Sequence, residues 1–158
     1  MGADIHIFLE TKYKDKWVFC GEVHGAISNR WYTFFAEVAE VRGRTGTSLA
    51  PRGIPEDCSD FIKMIVQDKL DAKKDIGYHS YTHLTIDELH RAYLRAKRED
   101  AHWWADEEFG TRTPAEFFET HITDWGVRSL FNVDYSDNSD EEIDEIRRNS
   151  RVVIYFDS

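Results

Sequence analysis

Asp4 and His6 stand two residues apart in the alternating stretch Ala3 to Glu10, among Ile5, Ile7 and Leu9. Side chains two apart on a strand share a face, which places a carboxylate and an imidazole side by side, roughly 7 Å apart. That spacing suits a metal ion, a phosphate or an acid/base pair. It also suits a wetted sheet face with no chemistry. Asp157 ends a second alternating stretch, Arg151 to Asp157. Pairing of the two strands would bring it near Asp4 or His6, depending on register. With His79, these residues make a set of hard or borderline ligands, Asp4, His6, His79 and Asp157, of the types that hold zinc, manganese or magnesium. No His-Glu-x-x-His occurs, so a divalent metal is one option and no cofactor is certain.

Anion binding is a second chemistry. Arg30 precedes an expected helix, Arg42 follows it, and Arg52 lies in a glycine- and proline-rich loop. Guanidinium forks bind phosphate bidentately, and helix starts near Asn29, Ser59 and Thr85 offer backbone N–H groups. Arg30, Arg52, His79 and Tyr32, with Trp31 and Tyr78 close in sequence, suit a nucleotide-like ligand. The plainer reading has Arg52 pairing with Glu56 or Asp57 inside its own loop. A third chemistry is written in His83-Leu84-Thr85 and His121-Ile122-Thr123, two His-x-Thr motifs like the proton-trading pair of two-histidine phosphoesterases. Their separation is short, and Thr85 reads as a helix cap, so chance explains them better. Nucleophilic catalysis has little support: Cys20 and Cys58 lack an evident basic partner, and no Gly-x-Ser-x-Gly, Walker loop or Rossmann fingerprint occurs.

Composition narrows the class. The chain has 158 residues, arguing for one domain over 1–158. Thirty acids against 20 bases give a net charge of −10, which argues against a general nucleic-acid binder and against anionic membranes. Two distant cysteines without Cys-x-x-Cys exclude a zinc ribbon and suit reduced thiols. No signal pattern and no apolar run of about 18 residues is present, so the expectation is a cytoplasmic protein with no membrane association.

These residues need elements to position them. The pattern predicts a hairpin of Ala3 to Glu10 with Trp17 to Val23 around a turn at Lys12 to Lys16. Asn29 is the expected cap of a helix over Trp31 to Val41, ended by Gly43. Arg44 to Asp57 is a loop dense in chain breakers. Ser59 caps a short helix bearing Phe61, Ile62, Ile65 and Val66. Tyr78 to Leu84 is irregular or extended. Thr85 and Glu88 form a capping box for a helix running towards Trp104. Thr113, Pro114 and Glu116 open another that stops at Gly126. Ser139 and Glu142 open a last one. His102-Trp103-Trp104 suits an interface, which a homo-oligomer would use, and equally a helix end tucked under the sheet. The class is α+β: a small, mostly antiparallel sheet including both terminal strands, with four to five helices packed on it.

In this order the pieces resemble a family of small proteins encoded by bacteriophages and prophages. The resemblance is carried by Met1-Gly2-Ala3-Asp4-Ile5-His6, Asn29-Arg30-Trp31-Tyr32-Thr33-Phe34-Phe35, Pro51-Arg52-Gly53-Ile54-Pro55-Glu56-Asp57-Cys58-Ser59, His79-Ser80-Tyr81-Thr82-His83-Leu84-Thr85 and Phe156-Asp157-Ser158. The chain departs from that family at Tyr81, where a second histidine is usual, and at His83, where tryptophan is usual. The resemblance implies a phage accessory protein, with counter-defence among its roles, and supplies no reaction. The expected function is binding of a small phosphorylated or nucleotide-like ligand. The alternatives are a metal-dependent phosphoesterase or nuclease, and an interaction module that inhibits a host defence protein.

Overall fold

The computed structural model describes residues 2–71, 77–100, 113–122 and 140–157. Its centre is a four-stranded sheet in the order β2-β1-β4-β3, built from β1 (Asp4–Tyr13), β2 (Lys16–Glu22), β3 (Tyr78–Thr85) and β4 (Ser150–Asp157). Every pairing is antiparallel. The terminal strands lie side by side at the centre, with Asp4 opposite Asp157 and His6 opposite Tyr155. Five α-helices accompany them among the described residues: α1 (Tyr32–Ala39), α2 (Asp60–Asp71), α3 (Ile86–Glu99), α4 (Pro114–Phe117), which runs into a π-helical turn at Phe118–Ile122, and α5 (Asp140–Arg148). The α+β class and the pairing of the two terminal strands are as the sequence pattern predicts.

Alternation sorts the sheet's side chains into two buried layers. Ile5, Ile7 and Leu9 of β1 join Val152, Ile154 and Phe156 of β4 against Phe34, Phe35 and Val38 of α1, Leu89 and Tyr93 of α3, and Phe117 and Phe118. The opposite face carries Phe8, Val153 and Tyr155 beneath Cys58, Ile62 and the partly buried Ile54, Ile65 and Val66. The sheet is therefore covered on both sides. Of the β1 face expected to be wetted, Phe8 and Glu10 are buried, and Asp4 and His6 keep partial access to solvent.

Several boundaries move for local reasons. The first hairpin is tighter than expected: Tyr13 pairs with Lys16, and Lys14 and Asp15 both adopt positive φ, 49° and 64°. Two positive φ values are what a two-residue turn needs to match the twist of its strands. Asn29 does not cap α1; its backbone is extended, and the capping position is Trp31, which makes no side-chain cap bond. The Trp31 indole instead donates to Asp100 at 2.8 Å, tying the start of α1 to the end of α3. α1 ends at Ala39 because Glu40 turns left-handed. Both capping boxes at Thr85 and Thr113 are present. The predicted features at Trp103, Trp104, Gly110, Gly126 and Ser139 lie outside the described residues.

Phe156 is fully buried and meets Phe35 edge-on at 5.1 Å, whereas Phe61, on the opposite cover, is 40% exposed. Phe156→Ala is expected to cost about 3–5 kcal/mol, and Phe61→Ala about 1 kcal/mol. Urea unfolding of the two variants would read the difference.

Candidate functional site

At the open end of the central strand pair, several predicted residues meet. His6 Nε2 lies 2.9 Å from Asp157 Oδ2. Its other ring nitrogen faces Glu22 at 3.8 Å. The ring stacks on Tyr155 at 4.7 Å, which fixes its plane. Glu22, in turn, lies 3.7 Å from His24. Asp4 is turned to Arg30, which donates to it through Nε and, at 3.0 Å, through Nη2. The Arg30 hydrogen bond holds the Asp4 carboxyl below its ordinary range, and the same contact raises Arg30. Tyr32 joins the rim, its hydroxyl accepting from the Ala3 N–H at 3.3 Å.

Asp4, His6, Arg30, Tyr32 and Asp157 thus come to one edge, and Glu22 joins them from β2. The remaining predicted residues do not. His79 pairs with Phe156 rather than Asp157, so its ring stacks on Phe156 on the other face of the sheet. Arg52 sits beside β3, its backbone N–H on Thr82 and its guanidinium on the His83 carbonyl and on Glu88. The His83 row is four residues, about 13 Å, along the strand from the Asp4 row, and two strands across. Arg52 pairs with Glu88, not with Glu56 or Asp57, because its loop lies alongside the start of α3. Among the described residues, no group of three or more His, Cys, Asp or Glu side chains is arranged to hold a metal ion. The His-x-Thr motifs also part: His83 shares the Val153 face and bonds the Gly53 carbonyl, while His121 packs on Tyr93 and Phe117 in the other layer.

A second site was not singled out from sequence. Between the β1–β2 hairpin and the start of α2 lies a polar cleft of about 360 Å³, lined by Lys12, Lys16, Trp17, Ser59, Asp60 and Lys63, with Asp15, Asp57 and Cys58. Its wall is built on a buried network. Glu10, wholly buried, accepts from the Ser59 N–H at 2.6 Å and from Arg151 Nε at 2.9 Å. Arg151 continues to Asp57 at 2.9 Å and lies over the Trp17 ring at 3.9 Å, while its Nη2 is buried without a hydrogen-bond acceptor. Asp57 also accepts from the Trp17 indole, and the Arg151 bond keeps its carboxyl below the usual range. Ser59 caps α2 by accepting from the Ile62 N–H. Lys12, Lys16 and Lys63 form no ion pair among the described residues.

An apolar groove of about 490 Å³ adjoins this cleft, sharing Cys58 and Lys63 and adding Ile54, Pro55, Met64 and Val66. Both cysteines are buried and neither is in a disulfide, and burial pushes the Cys58 thiol up, so it is not a poised thiolate. No family model matches the chain, and no curated protein or solved structure matches it significantly. No described helix is long and apolar enough to cross a membrane.

Arg52 holds Glu88 well down, to about 2 from an ordinary 4.5. A depressed carboxylate adds stability above its unfolded value and loses it as pH falls through the folded one. The stability advantage of the protein over Glu88→Gln should therefore be constant at neutral pH, shrink below about 4.5 and vanish near 2. Urea midpoints across that range check it; a gap that does not change would contradict the assignment.

Proposed function

We propose that this protein binds a small phosphorylated, nucleotide-like ligand in the cleft between the hairpin and α2. The balance of local charge favours the cleft over the strand edge, which is net acidic. At the edge, Asp4, Glu22 and Asp157 surround one imidazole and one arginine that is already engaged. Such a cluster favours a cation. In the cleft, Arg151 is shared between Asp57 and the buried Glu10, and three ammonium groups face Asp15 and Asp60, so cations and acids balance there. The Arg151 guanidinium behind them keeps an unmet donor. The first turn of α2 adds the positive end of a helix, a favourable place for phosphate.

The observation that carries the reading is that Lys12, Lys16 and Lys63, which form no ion pair among the described residues, face the start of α2, in a chain whose net charge is −10. The neighbouring apolar groove supports a ligand with a phosphate at one end and a flat or apolar moiety at the other, with Lys63 and Cys58 at the junction. The volume lies at the lower end of the range for small-molecule sites. The resemblance to phage and prophage proteins supports an accessory role in which such a ligand is sequestered.

Isothermal titration with linear and cyclic mononucleotides at low salt tests this. Lys16→Ala and Lys63→Ala should each weaken binding about tenfold, the loss of one charge-assisted contact, and rising salt should weaken the parent protein. Arg30→Ala and Arg52→Ala should bind as the parent does. Lysine variants with unchanged affinity, or arginine variants that lose it, would overturn the placement.

A further inference from the structure

We propose that Ser80 is a nucleophile served by His79 as its base, forming a dyad at a bulge in β3 that acts on neutral acyl esters. This inference is independent of the cleft. Consecutive side chains of a regular strand point to opposite faces, so a His-Ser neighbour pair there does not hydrogen-bond. Here the strand is irregular. His79 pairs with Phe156 and Thr82 with Ile154, leaving Ser80 and Tyr81 opposite the single residue Tyr155. Tyr81 keeps the regular face, its ring 5.8 Å from Tyr155. Ser80 absorbs the extra length with φ of 57°, a left-handed conformation that is disfavoured for a non-glycine residue.

That strain re-aims the hydroxyl. Ser80 Oγ lies 2.9 Å from His79 Nδ1, within the reach required of a nucleophile and its base. The geometry is held from several sides. The His79 ring lies nearly parallel to Phe156, 20° between planes. Beyond the bulge, Tyr81 and Thr82 are fastened to the loop by the Gly53 and Arg52 N–H groups. Both members of the pair are half-buried, so reagents can reach them. Bulges recur beside active sites because they redirect a side chain in this way, and strain kept in an over-determined setting points to use. The rings around the bulge, Phe156, Tyr155, Tyr81 and Tyr78, carry no charge that would clamp a phosphate, which favours a neutral carbonyl.

In the step itself, Oγ bonds to the ester carbonyl carbon as its proton passes to Nδ1. The carbon–alkoxy bond then breaks, and the departing alcohol takes that proton. Water attacks the acyl-serine, gives a proton to Nδ1, and Oγ recovers it as the acid leaves. An alkyl fluorophosphonate reports the first half irreversibly: the Oγ–phosphorus bond forms, fluoride leaves, and the proton departs by way of His79.

The test incubates the intact protein with that reagent and maps the label by peptide mass spectrometry. Label on Ser80 is expected, absent in Ser80→Gly, whose glycine suits the positive φ, and slowed at least tenfold in His79→Ala, with circular dichroism confirming that both variants fold. An unlabelled Ser80 in the folded parent, or an undiminished labelling rate in His79→Ala, would overturn the dyad.

Discussion

A single buried carboxylate organises the second face of this sheet. Glu10 has no exposed surface and meets two donors, the Arg151 guanidinium from the neighbouring strand and the Ser59 N–H at the start of α2. A charge removed from water is tolerated only when it is paired and hydrogen-bonded. Glu10 therefore demands both partners at once, and meeting that demand brings α2 and the loop before it down onto Phe8, Val153 and Tyr155. The same arrangement lays Arg151 over Trp17 and aligns Asp57, so the wall of the lysine cleft follows from it. The opposite face carries a device of the same kind. There Glu37, also buried, takes Arg95, Thr45 and Thr47, and fastens the chain after α1.

The charges of the molecule are sorted by this architecture. Acids and their partners gather at the open end of β1 and β4, where paired strand ends place Asp4 opposite Asp157. Like charges opposite each other repel, and the two carboxylates are relieved separately, one by Arg30 and the other by His6. Lysines without an ion pair among the described residues gather instead at the hairpin turn and the start of α2. The division sets an acidic strand end apart from a cleft lined by lysines.

What the sequence made legible was local. Capping boxes at Thr85 and Thr113 act within four residues and are found where expected. The alternation of Ile5, Ile7 and Leu9, and of Val152, Ile154 and Phe156, specifies a shared buried face, and two such strands pair. What was not legible depends on residues far apart in sequence. Glu10 reads as one more polar residue on a wetted face until Ser59 and Arg151 arrive. Arg52 reads as a partner for its own loop until β3 carries Glu88 beside it. His79 and Asp157 look like ligands of one site until register sets them on opposite faces, and no local signal announces a serine in a left-handed bulge. Lys12, Lys16 and the Ser59 cap were each visible; their convergence needed the hairpin to meet α2.

The most direct test of the central claim is hydrogen exchange on Glu10→Gln. A glutamine here has one acceptor and one donor end, while both neighbours are donors, so Arg151 or the Ser59 N–H must lose its partner. Amides of α2 should exchange at least about tenfold faster, while those of β1, β4, α1 and α3 keep their protection, because α2 then opens as a local unit. Protection lost uniformly through the sheet, or retained unchanged in α2, would contradict the view that this one carboxylate holds the second face and its cleft in place.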